Sequence, residues 1–425
     1  MVCKIERFKA LQKHEKVIKY LRVSEARETN KIEDKNLQIH DFRQGYVGNC
    51  GMAAALAALS RRPEFSSKIA PSIDYSKGLL HFKMFCEGEE VLVTVDDRLY
   101  YNIYENYKFL AYASSIRDDD QGRDLVCLSS FFEKAFVKHA CFRDYQTSVA
   151  TEAGFVFSCF SNNMTNHVIY DVDESKETFM ERLRYEVDNN SSVVLGITPD
   201  VRLLTSEDDS DSEDDSDSED DGHCFTVIGY SEQEKAVKLY DPENGRCASS
   251  ECLPPSLTMD ADHDNGEFWL ALREIEQKNV LIDALYSENM YKSVYHFKQK
   301  ISPAEFDEKN EACLDICNII LKESSKFMVN IFSCSHEFDV LDIIVRTNGD
   351  DKNNIKLDYE LPDISWCRGI LQKGEPKTQY NQRFQLQPNT YTISVKLETT
   401  FENLINEKLS LFTRIGSTRE CEFEI

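Results

Sequence analysis

A cysteine at the start of an alanine-rich segment is the first residue that could do chemistry. Cys50 follows a glycine-containing turn in QGYVGNCGMAAALAAL, and the apolar stretch after it predicts a buried helix. The macrodipole at a helix N-terminus favours a thiolate, and the free backbone N–H groups there can bind an oxyanion. Cys50 is therefore a candidate nucleophile. Taken alone, it fits a small buried packing residue equally well, so its partners must decide.

His223 is the candidate base for that thiol. The segment DGHCFTVIGYSEQEKAVKLYDPENG predicts two strands joined by the polar turn SEQEK. A turn centred near Gln233 places Phe225 opposite Asp241. His223 is then the diagonal neighbour of Asp241 on the same face. A carboxylate that fixes the imidazole tautomer would give Cys50 a proton acceptor, and later a proton donor for the leaving amine. Asp241 before a proline also fits an ordinary strand-ending turn.

With these residues identified, the chain resembles the calpain-type cysteine proteases of the papain-like group. The matching motifs run in the family's order, namely QGYVGNC, VTVDDRL, EKAF, GHCFTVIGY and GEFW, and RFQLQPNTYTISV is similar to part of the C2-like sandwich that follows the calpain core. The resemblance spans about residues 36–425. It implies an α+β fold, with a papain-like two-lobe core followed by an antiparallel β-sandwich. It assigns Cys50 as nucleophile, His223 as base, Asp241 as third triad residue and Gln44 as the side-chain donor of the oxyanion hole.

Three positions depart from the calpain pattern. Calpains usually have a Trp directly after the nucleophile, where this chain has Gly51, and an Asn-Pro-Trp motif for the third triad residue, where it has Asp241 and Glu243. An Asp can orient the imidazolium as an Asn does, whereas loss of the indole removes a wall between the triad and water. Two hypotheses therefore stay open. One is an intracellular endopeptidase that hydrolyses protein substrates through a Cys50 thioester, and the other is a catalytically impaired homologue that acts as a protein-interaction module.

Calcium is a possible cofactor by the same resemblance, and no other cofactor is expected. Asp41 and Glu267 match carboxylates that ligate calcium in the first and second lobes of calpains. However, Asn265 stands where the second site has an acid, and Val126 where the first has one. Calcium takes about six to eight oxygens, and its affinity falls with the number of charged ligands. We therefore predict that activity depends weakly or not at all on micromolar calcium.

Helix and strand signals divide the chain into four segments. We predict an N-terminal helical segment at 1–35, a first protease lobe with the nucleophile helix at 36–165, a β-rich second lobe at 166–280 and the C2-like sandwich at 286–425. The second lobe carries an acidic insertion at 206–221, which has eleven carboxylates and no basic residue. Like charges at this density prevent collapse, so we expect this insertion to be flexible.

The charge of the chain limits its partners. The formal net charge is −26, with 49 Lys and Arg against 75 Asp and Glu, so a phosphate-binding surface would oppose the field of the protein. We therefore expect no nucleic-acid partner. Acidic residues also outnumber basic ones after Tyr286, so we expect no membrane association of the sandwich. The resemblance includes no penta-EF-hand domain after the sandwich, so we expect no conventional EF-hand small subunit.

The 14 cysteines indicate a reducing compartment. The sequence has no apolar run long enough for a signal peptide or a membrane span, so reduced thiols in the cytoplasm are expected rather than a disulfide framework. Cys313 and Cys317 are the closest pair, and their four-residue spacing in an apolar stretch predicts the core face of a helix. We assign them to packing rather than to a metal site.

Overall fold

The computed structural model of the protein describes residues 18–26, 32–33, 37–45, 48–62, 71–86, 89–102, 108–109, 116–118, 124–140, 151, 153–170, 176–197, 222–243, 249–275, 280–286, 290–308, 310–333, 338–347, 378–399 and 409–424. These residues fall into two compact units. The first comprises those within Met1–Met84, Glu90–Ser161 and Ile169–Ala284, and the second those within Phe85–Glu89, Asn162–Val168 and Leu285–Ile425.

The helices are α1 (Val23–Ala26), α2 (Cys50–Ser60), α3 (Ser129–His139), α4 (Ala153–Phe160), α5 (Lys176–Asp188), α6 (Pro255–Thr258) and α7 (Leu272–Ile275). The strands are β1 (Ile18–Arg22), β2 (Ile32–Glu33), β3 (Ser72–Asp74), β4 (Leu79–Cys86), β5 (Glu89–Asp96), β6 (Arg98–Asn102), β7 (Lys108–Phe109), β8 (Ile116–Asp118), β9 (Asp124–Cys127), β10 (Thr165–Tyr170), β11 (Ser192–Ile197), β12 (His223–Ser231), β13 (Ala236–Tyr240), β14 (Glu267–Ala271), β15 (Val280–Leu285), β16 (Ser293–Ile301), β17 (Glu311–Ile320), β18 (Ser325–Ser333), β19 (Phe338–Thr347), β20 (Thr378–Leu386), β21 (Thr390–Thr399), β22 (Leu409–Ser417) and β23 (Glu422–Glu424). In the part of the chain that is described, no helix combines the length and the apolar character needed to cross a bilayer.

Helix α2 lies in the core of the first unit. Its sequence CGMAAALAALS is rich in good helix formers and has no charged side chain, so it can be buried on every side. Every residue from Cys50 to Leu59 is buried, and the helix packs against β11, β12 and α4. The predicted buried helix after the glycine turn is confirmed. Its first residue is therefore held in place by packing along the rest of the helix.

The largest sheet has six strands in the order β10-β15-β11-β12-β13-β14. Within it, β12 and β13 form the predicted antiparallel hairpin, with Thr226 opposite Tyr240 near its open end. A register shift between Val227 and Gly229 marks a bulge closer to the turn. Three smaller three-stranded sheets have the orders β1-β6-β7, β2-β9-β8 and β3-β4-β5. The mixture of helices and antiparallel sheets expected from the sequence is confirmed.

The second unit contains two four-stranded antiparallel sheets, β16-β22-β18-β20 and β19-β21-β17-β23. Alternate residues of both sheets point into one hydrophobic core, as the period of two along a strand requires. That core includes Val329 and Ile331 of β18 together with Ile393 and Val395 of β21. The two sheets are therefore joined by a shared layer of side chains.

The predicted N-terminal helix is wrong over residues 18–22. This segment is β1, which pairs with β6 over five residues. The rings of Tyr20 and Tyr100 lie opposite each other with centroids 4.7 Å apart, and the Tyr20 hydroxyl donates to Asp96 at 3.1 Å. Cross-strand pairing of this kind outweighs a weak helical periodicity. Residues 1–17 of the predicted helix and the acidic insertion at 206–221 lie outside the described residues.

The predicted helix around Cys313 and Cys317 is also wrong, because both residues lie on strand β17. The register of β17 against β21 shifts between Asp315 and Cys317, which indicates a bulge. Without a bulge, a four-residue spacing would place both thiols on one face of the strand. Instead Cys313 is exposed and Cys317 is buried. The packing interpretation therefore suits Cys317 and not Cys313.

Candidate active site

Cys50 is the first residue of α2. Asn49 precedes the helix, and its carbonyl accepts the first helical hydrogen bond, from the Ala53 N–H at 3.1 Å. The thiol therefore sits where the backbone N–H groups of the first turn and the positive end of the helix dipole meet. It is 7% exposed, so the surrounding dielectric is low.

Strand β12 runs alongside α2 and brings His223 to the level of Cys50. The Thr226 hydroxyl donates to the Ala54 carbonyl at 2.7 Å, one helical turn beyond Cys50. Further along, Arg61 donates to the carbonyl of Val227 at 2.9 Å. These contacts fix helix and strand side by side, so the first residue of the strand lies near the first residue of the helix.

Asp241 orients the imidazole of His223. His223 Nε2 lies 2.8 Å from Asp241 Oδ1, and the carboxyl group is buried. The same oxygen accepts the Glu243 backbone N–H at 2.8 Å, and the Asp241 N–H donates to the Gly266 carbonyl at 2.9 Å. The carboxylate is thus held from both sides, and Nδ1 of the imidazole is left as the nitrogen that can serve the thiol.

The pKa shifts of the Cys50 thiol and the His223 imidazole favour an ion pair between them. A hydrogen bond from the Cys224 thiol is the largest cause that lowers the pKa of Cys50; burial opposes it, and His223 lowers the pKa further, so that it ends well below its ordinary value. Burial acts to lower the pKa of His223, but Asp241 and Cys50 together raise it well above its ordinary value. A thiolate beside an imidazolium is therefore favoured at neutral pH.

The segment before α2 is tied to the end of β13. The Gln44 backbone N–H donates to the Pro242 carbonyl at 2.6 Å, and the Tyr240 hydroxyl donates to the Phe42 carbonyl at 3.2 Å. Gln44 is therefore attached to the turn that follows Asp241. The role of its side chain in an oxyanion hole remains a prediction.

Gly51 has a steric reason to lack a side chain. A Cβ atom at this position would come within 2.0 Å of the Thr151 carbonyl oxygen and 3.2 Å of the carbonyl carbon. Backbone from another part of the chain therefore occupies the space beside the nucleophile that a larger residue would need. The sequence could not indicate this contact, because it joins positions 100 residues apart.

A buried carboxyl group below the start of α2 was missed by sequence reasoning. Asn49 Nδ2 donates to Glu133 Oε1 at 2.5 Å, and both side chains are buried. Glu133 lies on α3, which also places Phe132 against Phe82 and Phe160. The signal was present in the acid of EKAF, which stands among apolar residues and is expected to be paired when buried.

Glu267, the acid that matches a second-lobe calcium ligand, has basic partners. Its Oε2 lies 3.0 Å from Lys238 Nζ, and its Oε1 lies 3.5 Å from His40 Nε2. Next to it, Asn265 Oδ1 accepts a hydrogen bond from Arg43 at 2.9 Å. Basic side chains at these oxygens compete with a cation, so the arrangement does not fit a calcium site.

Asp41, the acid that matches a first-lobe ligand, is buried and closes a single turn. Its Oδ2 accepts the Gln38 backbone N–H at 2.7 Å. Across the described residues, no three His, Cys, Asp or Glu side chains are grouped so that they could hold a metal ion. Asp41 therefore has a local structural role in the segment that leads to the nucleophile.

The part of the chain that carries this site is similar to known proteins. The model of the family "Calpain family cysteine protease" matches residues 4–243, which include Cys50, His223 and Asp241. The calpain-2 catalytic subunit of Bos taurus is 25% identical over 282 residues, which cover 59% of this chain and 37% of the relative. The Homo sapiens calpain-2 catalytic subunit is 24% identical with the same coverage, and calpain-8 of Rattus norvegicus is 25% identical over 281 residues. The matched segment spans 37% of the length of each of these relatives.

Proposed function

The chain belongs to the calpain family of cysteine proteases, and we propose that it is an endopeptidase that hydrolyses polypeptides through a thioester on Cys50. The 2.8 Å hydrogen bond between His223 and Asp241, next to a buried thiol at a helix N-terminus, supports this most directly. The low pKa of Cys50 and the high pKa of His223 supply the nucleophile and the acid that peptide cleavage needs.

In the acylation step, the Cys50 thiolate attacks the carbonyl carbon of the scissile peptide. The developing oxyanion accepts hydrogen bonds from the Cys50 backbone N–H and from the side-chain amide of Gln44. The His223 imidazolium then gives its proton to the leaving amine. The C–N bond breaks, the amine product leaves, and the acyl group stays on Cys50 as a thioester.

In the deacylation step, neutral His223 takes a proton from a water molecule, which attacks the thioester carbonyl. Collapse of this second tetrahedral intermediate breaks the C–S bond and restores the thiolate beside the imidazolium. Asp241 keeps the imidazole in the same orientation through both steps because Nε2 stays bound to its carboxylate.

The departures at Gly51 and Glu243 are compatible with activity. At Gly51 the space beside the nucleophile is filled by the Thr151 carbonyl, and the Glu243 N–H supports the carboxylate that orients His223. The first contact puts a backbone group in the space beside the nucleophile, and the second is one that any residue other than proline could make at position 243. They favour the endopeptidase over the catalytically impaired homologue.

We further propose that the second unit is a C2-like β-sandwich and that the protein acts on polypeptides in the cytoplasm. The shared core of two four-stranded antiparallel sheets supports the sandwich. A reducing compartment keeps a nucleophilic thiol free, and the 14 cysteines fit such a compartment. The net charge of −26 argues against nucleic acid as a partner.

The proposal is tested by labelling the purified protein with a biotinylated peptidyl epoxide and locating the adduct by peptide mass spectrometry. We expect one adduct per chain, on Cys50, and none in Cys50→Ala. Cys50→Ala should also lose casein hydrolysis while remaining folded, because one small side chain contributes only about 1–2 kcal/mol of packing.

Exposed cysteines supply the internal control for labelling. Cys252 and Cys313 are more accessible than Cys50, so a reaction governed by access alone would modify them first. Cys317→Ala is the matched buried control and should be labelled as the wild type is. A folded wild-type protein whose Cys50 stays unlabelled would favour the catalytically impaired homologue instead.

A further inference from the structure

A second thiol lies beside the nucleophile. Cys224 follows His223 on β12 and is only partly exposed. Because side chains alternate along a strand, Cys224 shares a face with Thr226, whose hydroxyl binds Ala54 of α2 at 2.7 Å. Two residues back along the strand and four back along the helix are both steps of about 6 Å. Cys224 is therefore placed opposite Cys50.

The contact between the two thiols agrees with this placement. The side chain of Cys224 is the largest cause that lowers the pKa of Cys50, which is expected of two neighbouring thiols. On the neighbouring strand, Gly196 lies directly opposite Cys224, and a Cβ there would stand 3.7 Å from the Cys224 sulfur. The same Cβ would stand 3.2 Å from Leu281 Cβ, so the sulfur of Cys224 and the side chain of Leu281 both lie against this glycine. For two thiols at facing positions of a helix and a strand, an S–S bond of about 2.05 Å requires side-chain rotation and an adjustment of the backbone.

The other buried cysteines among the described residues have different surroundings. Burial raises the pKa of Cys317 to about 12, so little thiolate forms there at neutral pH. Cys159 lies inside α4 among the core side chains of the first unit. Among the described cysteines, Cys50 therefore combines thiolate character with an adjacent second thiol.

We propose that Cys224 is an oxidative modification site, the resolving thiol that forms an intramolecular disulfide with Cys50 and thereby switches the peptidase off reversibly. The switching of activity rests on the proposed function, whereas formation of the disulfide does not. The oxidant is a hydroperoxide, and the reductant that reverses the reaction is a thiol.

The chemistry balances in two steps. The Cys50 thiolate attacks the O–O bond of hydrogen peroxide, which forms Cys50 sulfenic acid and releases hydroxide, and the His223 imidazolium protonates the hydroxide to water. The Cys224 thiol then attacks the sulfenic sulfur, so that the S–S bond forms, the S–O bond breaks and a second water leaves. Two thiol groups lose two electrons, and one peroxide becomes two waters.

The test treats the full chain with hydrogen peroxide, blocks the remaining thiols with N-ethylmaleimide and maps the non-reduced digest by mass spectrometry. We expect a Cys50–Cys224 cross-linked peptide in the wild type, with a loss of peptidase activity of about tenfold or more that dithiothreitol restores. In Cys224→Ser the cross-link is absent, and peroxide carries Cys50 on to sulfinic acid, which dithiothreitol does not reverse. Cys252→Ser, a change at an exposed thiol, should behave as the wild type.

The readouts separate the failure of this inference from the failure of the proposed function. An active wild type that yields no Cys50–Cys224 peptide, or a Cys224→Ser variant that recovers as the wild type does, would overturn the inference alone. A cross-linked peptide from a protein that is inactive when reduced would support the disulfide and overturn the peptidase assignment.

Discussion

His223 in the first unit and His296 in the second are both partly buried on β-strands, yet their pKa values move in opposite directions. His296 lies opposite Arg414 in the pairing of β16 with β22, and its ring stacks against Phe412. Burial and the nearby guanidinium lower its pKa to about 4. His223 is also penalised by burial, but Asp241 and the Cys50 thiolate reverse the sign. The neighbours of a buried imidazole therefore decide whether it can hold a proton.

The buried thiols of the two units differ in the same way. Cys317 is enclosed by apolar side chains of the second unit, and burial raises its pKa to about 12. Cys50 is as deeply placed, but a helix N-terminus, an imidazole and a second thiol surround it, and its pKa falls. Burial alone raises the pKa of a cysteine and so suppresses the reactive thiolate. The groups around Cys50 lower its pKa although it is similarly buried.

The largest effect is expected when each histidine is removed in turn, which tests this comparison directly. We expect His223→Ala to lower kcat/KM for a peptide substrate by about 10²–10⁴-fold, because the thiolate loses its counter-ion and the leaving amine loses its proton donor. His296→Ala should leave kcat/KM within about twofold of the wild type, since a neutral buried imidazole has no part in the reaction. Similar rates for wild type and His223→Ala would contradict the hairpin assignment.

The sequence was sufficient to predict the hairpin because the deciding information is local. A polar turn and the alternation of β12 and β13 fix the pairing, and the observed partners Thr226 and Tyr240 give the predicted register at the open end. The bulge between Val227 and Gly229 was not predicted, but it lies toward the turn and leaves that end unchanged. The buried helix that begins at Cys50 was predictable for the same reason.

The features that were missed depend on contacts between distant parts of the chain. The Thr151 carbonyl beside Gly51, the Glu133 carboxyl group under Asn49 and the pairing of β1 with β6 each join segments far apart in sequence. Local periodicity carries no record of such neighbours, and tertiary pairing can override it.

A smaller effect is expected from Asp241→Asn, which keeps the hydrogen bond to His223 but removes the charge. The carboxylate raises the pKa of His223, so its loss should lower that pKa. Peptide cleavage needs the protonated imidazolium, and the alkaline limb of the kcat/KM profile should therefore move to lower pH. The rate at its optimum should fall less than in His223→Ala, because an amide still orients the ring.

The pH profile also distinguishes orientation from electrostatics. Asp241→Ala removes both contributions, so it should shift the alkaline limb in the same direction and lower the optimum rate further. An alkaline limb that stays in place in both variants would show that Asp241 does not set the proton affinity of His223. The difference in pKa between His223 and His296 would then come from Cys50 and not from Asp241.

The smallest expected effect is that of calcium. The ion pair of Glu267 with Lys238, 3.0 Å apart, places an ammonium group where a cation would have to bind, and Arg43 holds Asn265 at 2.9 Å. We therefore expect peptidase activity to change by less than about twofold between excess chelator and saturating calcium. Lys238→Met removes the competing charge and serves as the matched variant. If this variant gains calcium activation that the wild type lacks, the ion pair is what excludes the metal. A saturable tenfold activation of the wild type at micromolar calcium would instead show that the charges around His223 and Asp241 do not by themselves complete the active site.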